Sequence, residues 1–162
     1  MRLAVYPDGA VVLTVPHRSE QSLIDRFLAK YAPWVERKIK ESENRTVLRI
    51  KREEIPQIKK NAYDLVQNRA TYFAQEYGFA FKNITIRAQK TRWGSCSHVG
   101  NLSFNYKIAL LPQHLIDYII VHEVCHLEEM NHSLRFWNLV ARKAPQYERA
   151  RGELRAIATV YT

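Results

Sequence analysis

The stretch from Pro112 to Met130 constrains the fold more than any other part of this chain. On a helix its apolar residues would fall on nearly every side, so we expect a buried helix here. Three ionisable residues interrupt the apolar run: His122, Glu123 and His126. Because polar groups in a dry interior cost several kcal/mol unless each finds a partner, the pattern predicts a partner for these three side chains.

A metal ion would satisfy the two histidines. At helical spacing His122 and His126 lie about 40° apart and one turn along the axis, so both imidazoles can point at one zinc ion. Glu123 is rotated away from that direction, which suits a carboxylate that accepts a proton from an attacking water rather than one that binds the ion. The competing interpretation is two core histidines bonded to the backbone, with Glu123 in an ion pair.

Three residues after the motif are candidates for a third ligand: Glu128, Glu129 and His132. Glu129 shares the face of His126 but lies about 7 Å too far along the axis. If the helix ends near Asn131, in a left-handed cap conformation, the chain can turn back and bring His132 to the ion. We therefore predict His132 as the third ligand. Ser133 would then cap a following helix whose apolar residues support the ligand loop, namely Phe136, Trp137 and Val140.

The length and composition indicate an ordinary globular protein. The chain has 162 residues, no apolar run long enough for a signal peptide or a membrane span, and two cysteines, Cys96 and Cys125, which we expect to be free thiols. These features favour a cytoplasmic protein without a membrane partner. The net charge of +9 admits an anionic or nucleic-acid partner, although the basic residues are spread along the chain.

Patterning divides the chain into three parts. Residues 1–45 combine a predicted hairpin around "YPDGA" with helical spacing, residues 46–60 form a charged linker, and residues 61–162 hold helix and strand patterns that include the histidine motif. Gly94, in a predicted strand, suggests a bulge or a close approach of another group to the backbone.

Several motifs together resemble the YgjP-like metallopeptidase domain, a relative of the SprT-like zinc proteases. In this order and at this spacing they are "TRWGSCS", "LSFNYKIALLP", "IDYIIVHEVCHL", "MNHSLRFW" and "APQY". The resemblance implies an α+β, zincin-like fold in which a small, mostly antiparallel sheet packs on the buried HExxH helix, with an N-terminal β-hairpin plus helix. It also implies that His122, His126 and His132 bind zinc and that Glu123 is the catalytic carboxylate, as the geometry does.

The stretch between Glu41 and Asn61 looks shorter than in typical relatives. Metzincins share the spacing from His126 to His132, but the glycine and the Met-turn that they require are missing.

We therefore expect a zinc metallohydrolase, most directly a metallopeptidase acting on peptides or proteins, with another divalent ion as an alternative to zinc. The same groups could instead hydrolyse nucleotide phosphoanhydrides. A basic nucleic-acid-associated module with secondary or lost catalysis is a further alternative, and a purely structural metal site is another. Three residues are unranked candidates for stabilising an oxyanion: Arg92, Tyr106 and Tyr118. Asp117 is either a partner that orients a ligand histidine or an exposed residue.

Overall fold

The computed structural model describes residues 1–162 and has α+β architecture, as predicted. The helices are α1 (Gln21–Glu43), α2 (Ile55–Tyr77), α3 (Gln113–Cys125), α4 (Leu134–Lys143) and α5 (Tyr147–Arg155). The strands are β1 (Arg2–Val5), β2 (Val11–Thr14), β3 (Thr46–Ile50), β4 (Asn83–Arg87), β5 (Gly94–Cys96), β6 (Asn101–Asn105) and β7 (Ile157–Tyr161). None of the helices has both the length and the apolar character needed to cross a bilayer.

The chain forms two compact units, and the first combines both ends of the sequence. It consists of Met1–Arg52 together with Ala156–Thr162. Strands β1 and β2 form an antiparallel hairpin, and Gly9 in its turn has a φ of +82°, the left-handed conformation that the Asp-Gly pair predicted. The predicted N-terminal hairpin plus helix is therefore confirmed.

The stretch predicted as a charged linker, 46–60, is ordered secondary structure. It holds β3, which pairs in parallel with β7, and the first turns of α2. The partner strand of β3 lies more than a hundred positions away, so a local pattern could not reveal the pairing. The division into 1–45, 46–60 and 61–162 remains a prediction about independently folding domains.

The second unit, Glu53–Arg155, contains a three-stranded sheet with the order β4-β6-β5. β5 and β6 pair antiparallel, whereas β4 and β6 pair in parallel. The sheet is thus mixed rather than mostly antiparallel, because β6, and not β5, takes the place beside β4. A short 3₁₀ helix, Tyr106–Leu110, leads from β6 to Pro112 and α3.

Helix α3 is the central element of the second unit. It contacts α2, α4, α5 and β5, and nine of its thirteen residues are buried. The prediction of a helix buried on nearly all sides is confirmed. Because neighbours surround it, any polar side chain on α3 either faces one of these elements or opens into a gap between them.

Candidate metal centre

The end of α3 carries the polar residues of the motif. His122 and Glu123 lie in its last turn, and His126 is the C-cap residue, still in the right-handed helical conformation. The helix ends at Cys125, five residues before the predicted end at Met130. Backbone bonds from Leu127 and Glu128 to carbonyls three residues earlier tighten the chain here, and Asn131 does not adopt the positive φ that we predicted. The tightened turn replaces the left-handed cap.

The structure brings the three predicted ligand side chains together. Nε2 of His132 lies 3.1 Å from Nε2 of His122, and one ring nitrogen from each of the three histidines lies within 4.8 Å of the others. Two imidazole nitrogens that share a tetrahedral zinc ion at about 2.0–2.1 Å lie roughly 3.3 Å apart, so the spacing of His122 and His132 fits a shared ion.

Glu129, which we rejected as a ligand because of its reach, has another place in the site. Its carboxylate pairs with Nε of Arg135 at 2.9 Å. Its backbone carbonyl lies 2.8 Å from Nδ1 of His126, as the acceptor of an Nδ1–H bond. That bond sets the tautomer in which the other ring nitrogen, Nε2, carries the free lone pair that a metal requires.

Burial keeps the imidazoles of His122 and His126 in the neutral form that binds metals. It is the main cause that lowers the pKa of His122 to about 3, and the neighbouring charges of His126, His132 and Arg151 lower it further. Burial also lowers the pKa of His126, against the opposite effect of its bond to the Glu129 carbonyl. Three imidazoles with adjacent nitrogens are a donor set that suits zinc and other divalent transition metals.

Helix α4 holds the imidazoles by aromatic packing. The Ser133 hydroxyl accepts a bond from the backbone N–H of Phe136 at 3.3 Å, which confirms the predicted N-cap. The ring of Phe136 is fully buried and stacks on His126 with centroids 4.4 Å apart. Trp137 stacks on His132 at 5.6 Å. The predicted buttress of the ligand loop is therefore present.

Glu123 is buried above the backbone of Gly94, at the start of β5. Only 6% of the residue is exposed, and a Cβ added to Gly94 would lie 2.6 Å from Cγ and 2.7 Å from Oε1 of the glutamate. The close approach predicted for Gly94 is confirmed, and it is made by the carboxylate of the motif. Burial raises the pKa of Glu123 to about 8, and the positive charge of Arg92 opposes this rise.

A groove of about 200 Å³ opens beside these residues. Of the three oxyanion candidates, Arg92 and Tyr118 line the groove together with His122 and Glu123, whereas Tyr106 is buried and is not part of its lining. The Tyr118 hydroxyl oxygen lies 3.5 Å from Nδ1 of His122, at the limit of a hydrogen bond.

Asn105, at the end of β6, organises the wall of this groove and was missed by the sequence analysis. Its buried side-chain amide donates to the backbone carbonyls of Gln89 at 2.7 Å and Arg92 at 3.0 Å, and its oxygen accepts from the N–H of Lys107. These bonds hold the segment that leads to Gly94. A polar residue between a strand and an apolar stretch was the signal available in the sequence.

Two other polar residues of α3, Asp117 and His114, have partners outside the site. Asp117 bonds to Arg69 at 2.8 Å and to Gln113 at 2.7 Å, so it does not orient a histidine. His114 pairs with Glu153. Cys96 and Cys125 are free thiols, as expected.

The residues and their order match a known family. The chain matches the YgjP-like, metallopeptidase domain family over residues 50–157.

Two crystal structures of metallopeptidase zymogens are similar in part. Abylysin of Pyrococcus abyssi has 22% identity and a TM-score of 0.48, over 57% of this chain and 97% of that one. Jannalysin of Methanocaldococcus jannaschii has 20% identity and a TM-score of 0.47, over 55% of this chain and 95% of that one. No curated protein matches the sequence significantly. The family match covers the sheet, α3 and the three histidines, and on this ground the chain belongs to the YgjP-like metallopeptidase domain family.

Proposed function

We propose that this protein is a zinc-dependent peptidase in which His122, His126 and His132 hold the ion and Glu123 is the general base. The observation that carries the proposal is the convergence of three imidazoles beside a buried carboxylate. Membership of a metallopeptidase family implies a divalent metal ion, usually zinc, and the donor set fits one.

The chemistry is divided between the ion and the chain. When bound, zinc lowers the pKa of a water toward neutrality and polarises the carbonyl under attack. Glu123, held above Gly94, accepts the proton of the attacking water and returns it to the leaving amine as the peptide bond breaks. Its carboxylate is buried and closely packed, so it is positioned before the substrate arrives.

One group in the groove is suited to stabilise the oxyanion that forms on the carbonyl. The Tyr118 hydroxyl lines the groove beside Glu123. Strand β5 lies at one edge of its sheet, so its free side can pair with an extended substrate peptide. These assignments are part of the proposal.

The direct test is hydrolysis of casein and of a mixed peptide pool by the zinc-loaded protein. Glu123→Gln should lower the rate by at least about 100-fold while zinc is retained, because the variant loses a general base and not a ligand. Glu128→Gln is the matched control, since this exposed glutamate lies just beyond the motif. Equal rates in Glu123→Gln and the wild type would contradict the assigned role.

The same preparations separate the alternative functions. A nucleoside triphosphate replaces the peptides in a parallel assay, and hydrolysis there alone would favour the phosphoanhydride reaction. Binding to nucleic acid that falls steeply with salt and survives Glu123→Gln would favour the basic module instead. If Glu123→Gln leaves folding, zinc content and every measured activity unchanged, the metal site is purely structural.

A further inference from the structure

We propose that the groove beside Glu123 selects an acidic side chain of the substrate, and that Arg92 and Arg151 recognise its carboxylate. This inference rests on the proposed peptidase function and adds a substrate class to it.

The groove adjoins the candidate metal centre and has room for about one side chain. Its walls come from the segment that enters β5, from α3 and from α5, and its volume of about 200 Å³ corresponds to about seven water molecules at roughly 30 Å³ each. His122 and Glu123 are part of the lining. A side chain seated here therefore belongs to a residue close to the bond that is cut.

One guanidinium group lines this groove, and a second lies near it on α5. Arg92 is exposed and lines it directly. Arg151 lies on α5 three residues before Leu154, which also lines the groove, so the two share one face of the helix. The Cζ atom of Arg151 lies 4.6 Å from the centre of the Trp137 ring, which stacks on His132, and its charge acts on His122 and Tyr118.

Neither guanidinium has a carboxylate partner within 4.0 Å, whereas Arg69, Arg135 and Arg149 each form an ion pair. The planar fork of arginine matches a carboxylate and binds it through two parallel hydrogen bonds. Two cations without a carboxylate partner, one lining a small groove and one near it, thus provide the recognition that an incoming Asp or Glu requires.

The lining also explains why the expected ligand is a side chain with a short apolar stem. Trp93, Ile119 and Leu154 can contact methylene groups, while the arginines meet the carboxylate. Glu123 is the single carboxylate of the lining and is 6% exposed, with its side chain packed against Gly94. A lysine in the same position would meet two positive charges.

The test is cleavage-site profiling of a proteome-derived peptide library by the zinc-loaded protein. We expect Asp and Glu to be enriched by about fivefold at one position next to the cut, the scale of one partly exposed ion pair. Arg92→Gln and Arg151→Gln should each reduce this enrichment while retaining zinc. Arg149→Gln is the matched control, because it removes the same charge from α5 at a residue that pairs with Glu153. Cleavage without acidic enrichment, or enrichment unchanged in both variants, would overturn the inference and leave the peptidase function intact.

A binding measurement decides the inference even if no peptide is cut. Zinc-loaded Glu123→Gln protein is titrated with a fluorescent Glu-containing peptide, with its Gln counterpart, and with a nucleoside triphosphate as competitor. Tighter binding of the Glu peptide that is lost in combination with Arg92→Gln or Arg151→Gln supports the inference. Equal binding of the two peptides refutes it, as does tighter, arginine-dependent binding of the nucleotide, which would assign the groove to a phosphate-bearing ligand.

Discussion

A methyl group added at Gly94 tests whether the packing of Glu123 against the strand matters for catalysis. The new Cβ would lie 2.6 Å from Cγ and 2.9 Å from Cδ of Glu123, and carbon atoms pack at about 3.5–4.0 Å. In Gly94→Ala the glutamate must therefore retreat by about 1 Å. Because Glu123 is buried, this retreat displaces its carboxylate within a closely packed site.

The substitution should lower both the rate and the stability. A catalytic group misplaced by about 1 Å can cost roughly 100-fold in rate, whereas overpacking that a side chain can relieve costs about 1–3 kcal/mol. We expect kcat for peptide hydrolysis to fall by about 100-fold in Gly94→Ala, with zinc content unchanged. The assay combines kinetics with elemental analysis and thermal unfolding.

Gly152→Ala is the matched control, because a Cβ at this helical glycine meets nothing within 4 Å. It should keep wild-type activity and should not lower stability, since alanine is favoured over glycine in a helix. If Gly94→Ala retains activity within about threefold of the wild type and still binds zinc, the argument that this packing positions the base is refuted.

Three further predictions concern the surroundings of the site. Phe136→Ala should cost about 3–5 kcal/mol of unfolding free energy and weaken zinc retention, because the buried ring stacks on His126; a loss below about 1 kcal/mol in denaturant unfolding would contradict this. Asn105→Asp should cost about 2 kcal/mol, because two backbone carbonyls lose their donor; an unchanged melting temperature would argue against that clamp. Burial lowers the pKa of His122 to about 3, below the unfolded value of 6.5. Between these pH values the unfolded chain binds more protons than the folded one, so the metal-free protein loses stability as the pH falls through this window. In His122→Asn the contribution of His122 to this loss of stability should be absent. Equal losses of unfolding free energy in the variant and the wild type between pH 7 and pH 4 would speak against the prediction.

The sequence was most informative where short-range spacing carries the geometry. The histidines of the HExxH pattern, the serine cap before Phe136 and the Asp-Gly hairpin turn each depend on residues a few positions apart, and the structure brings them together as expected. Gly94 was predicted to allow a close approach, but only the folded chain shows that Glu123 makes it.

Features that depend on distant partners could not be predicted in the same way. The parallel pairing of β3 with β7 joins opposite ends of the chain, and β6 rather than β5 pairs with β4, so neither pairing could be predicted from local patterns. The backbone carbonyl of Glu129 orients His126, a contact that side-chain patterns do not contain. Recognition by Arg92 and Arg151 likewise depends on α5 meeting the segment before β5 beside one groove.

The measurement that tests the central claim most directly is the zinc content of the purified protein after incubation with zinc and removal of excess metal. We expect about one zinc per chain in the wild type and in His98→Ala, whose exposed histidine lies outside the cluster, and a clear loss in His132→Ala. A wild-type protein that takes up no stoichiometric metal, or a His132→Ala variant that retains as much zinc as the wild type, would contradict the three-histidine centre.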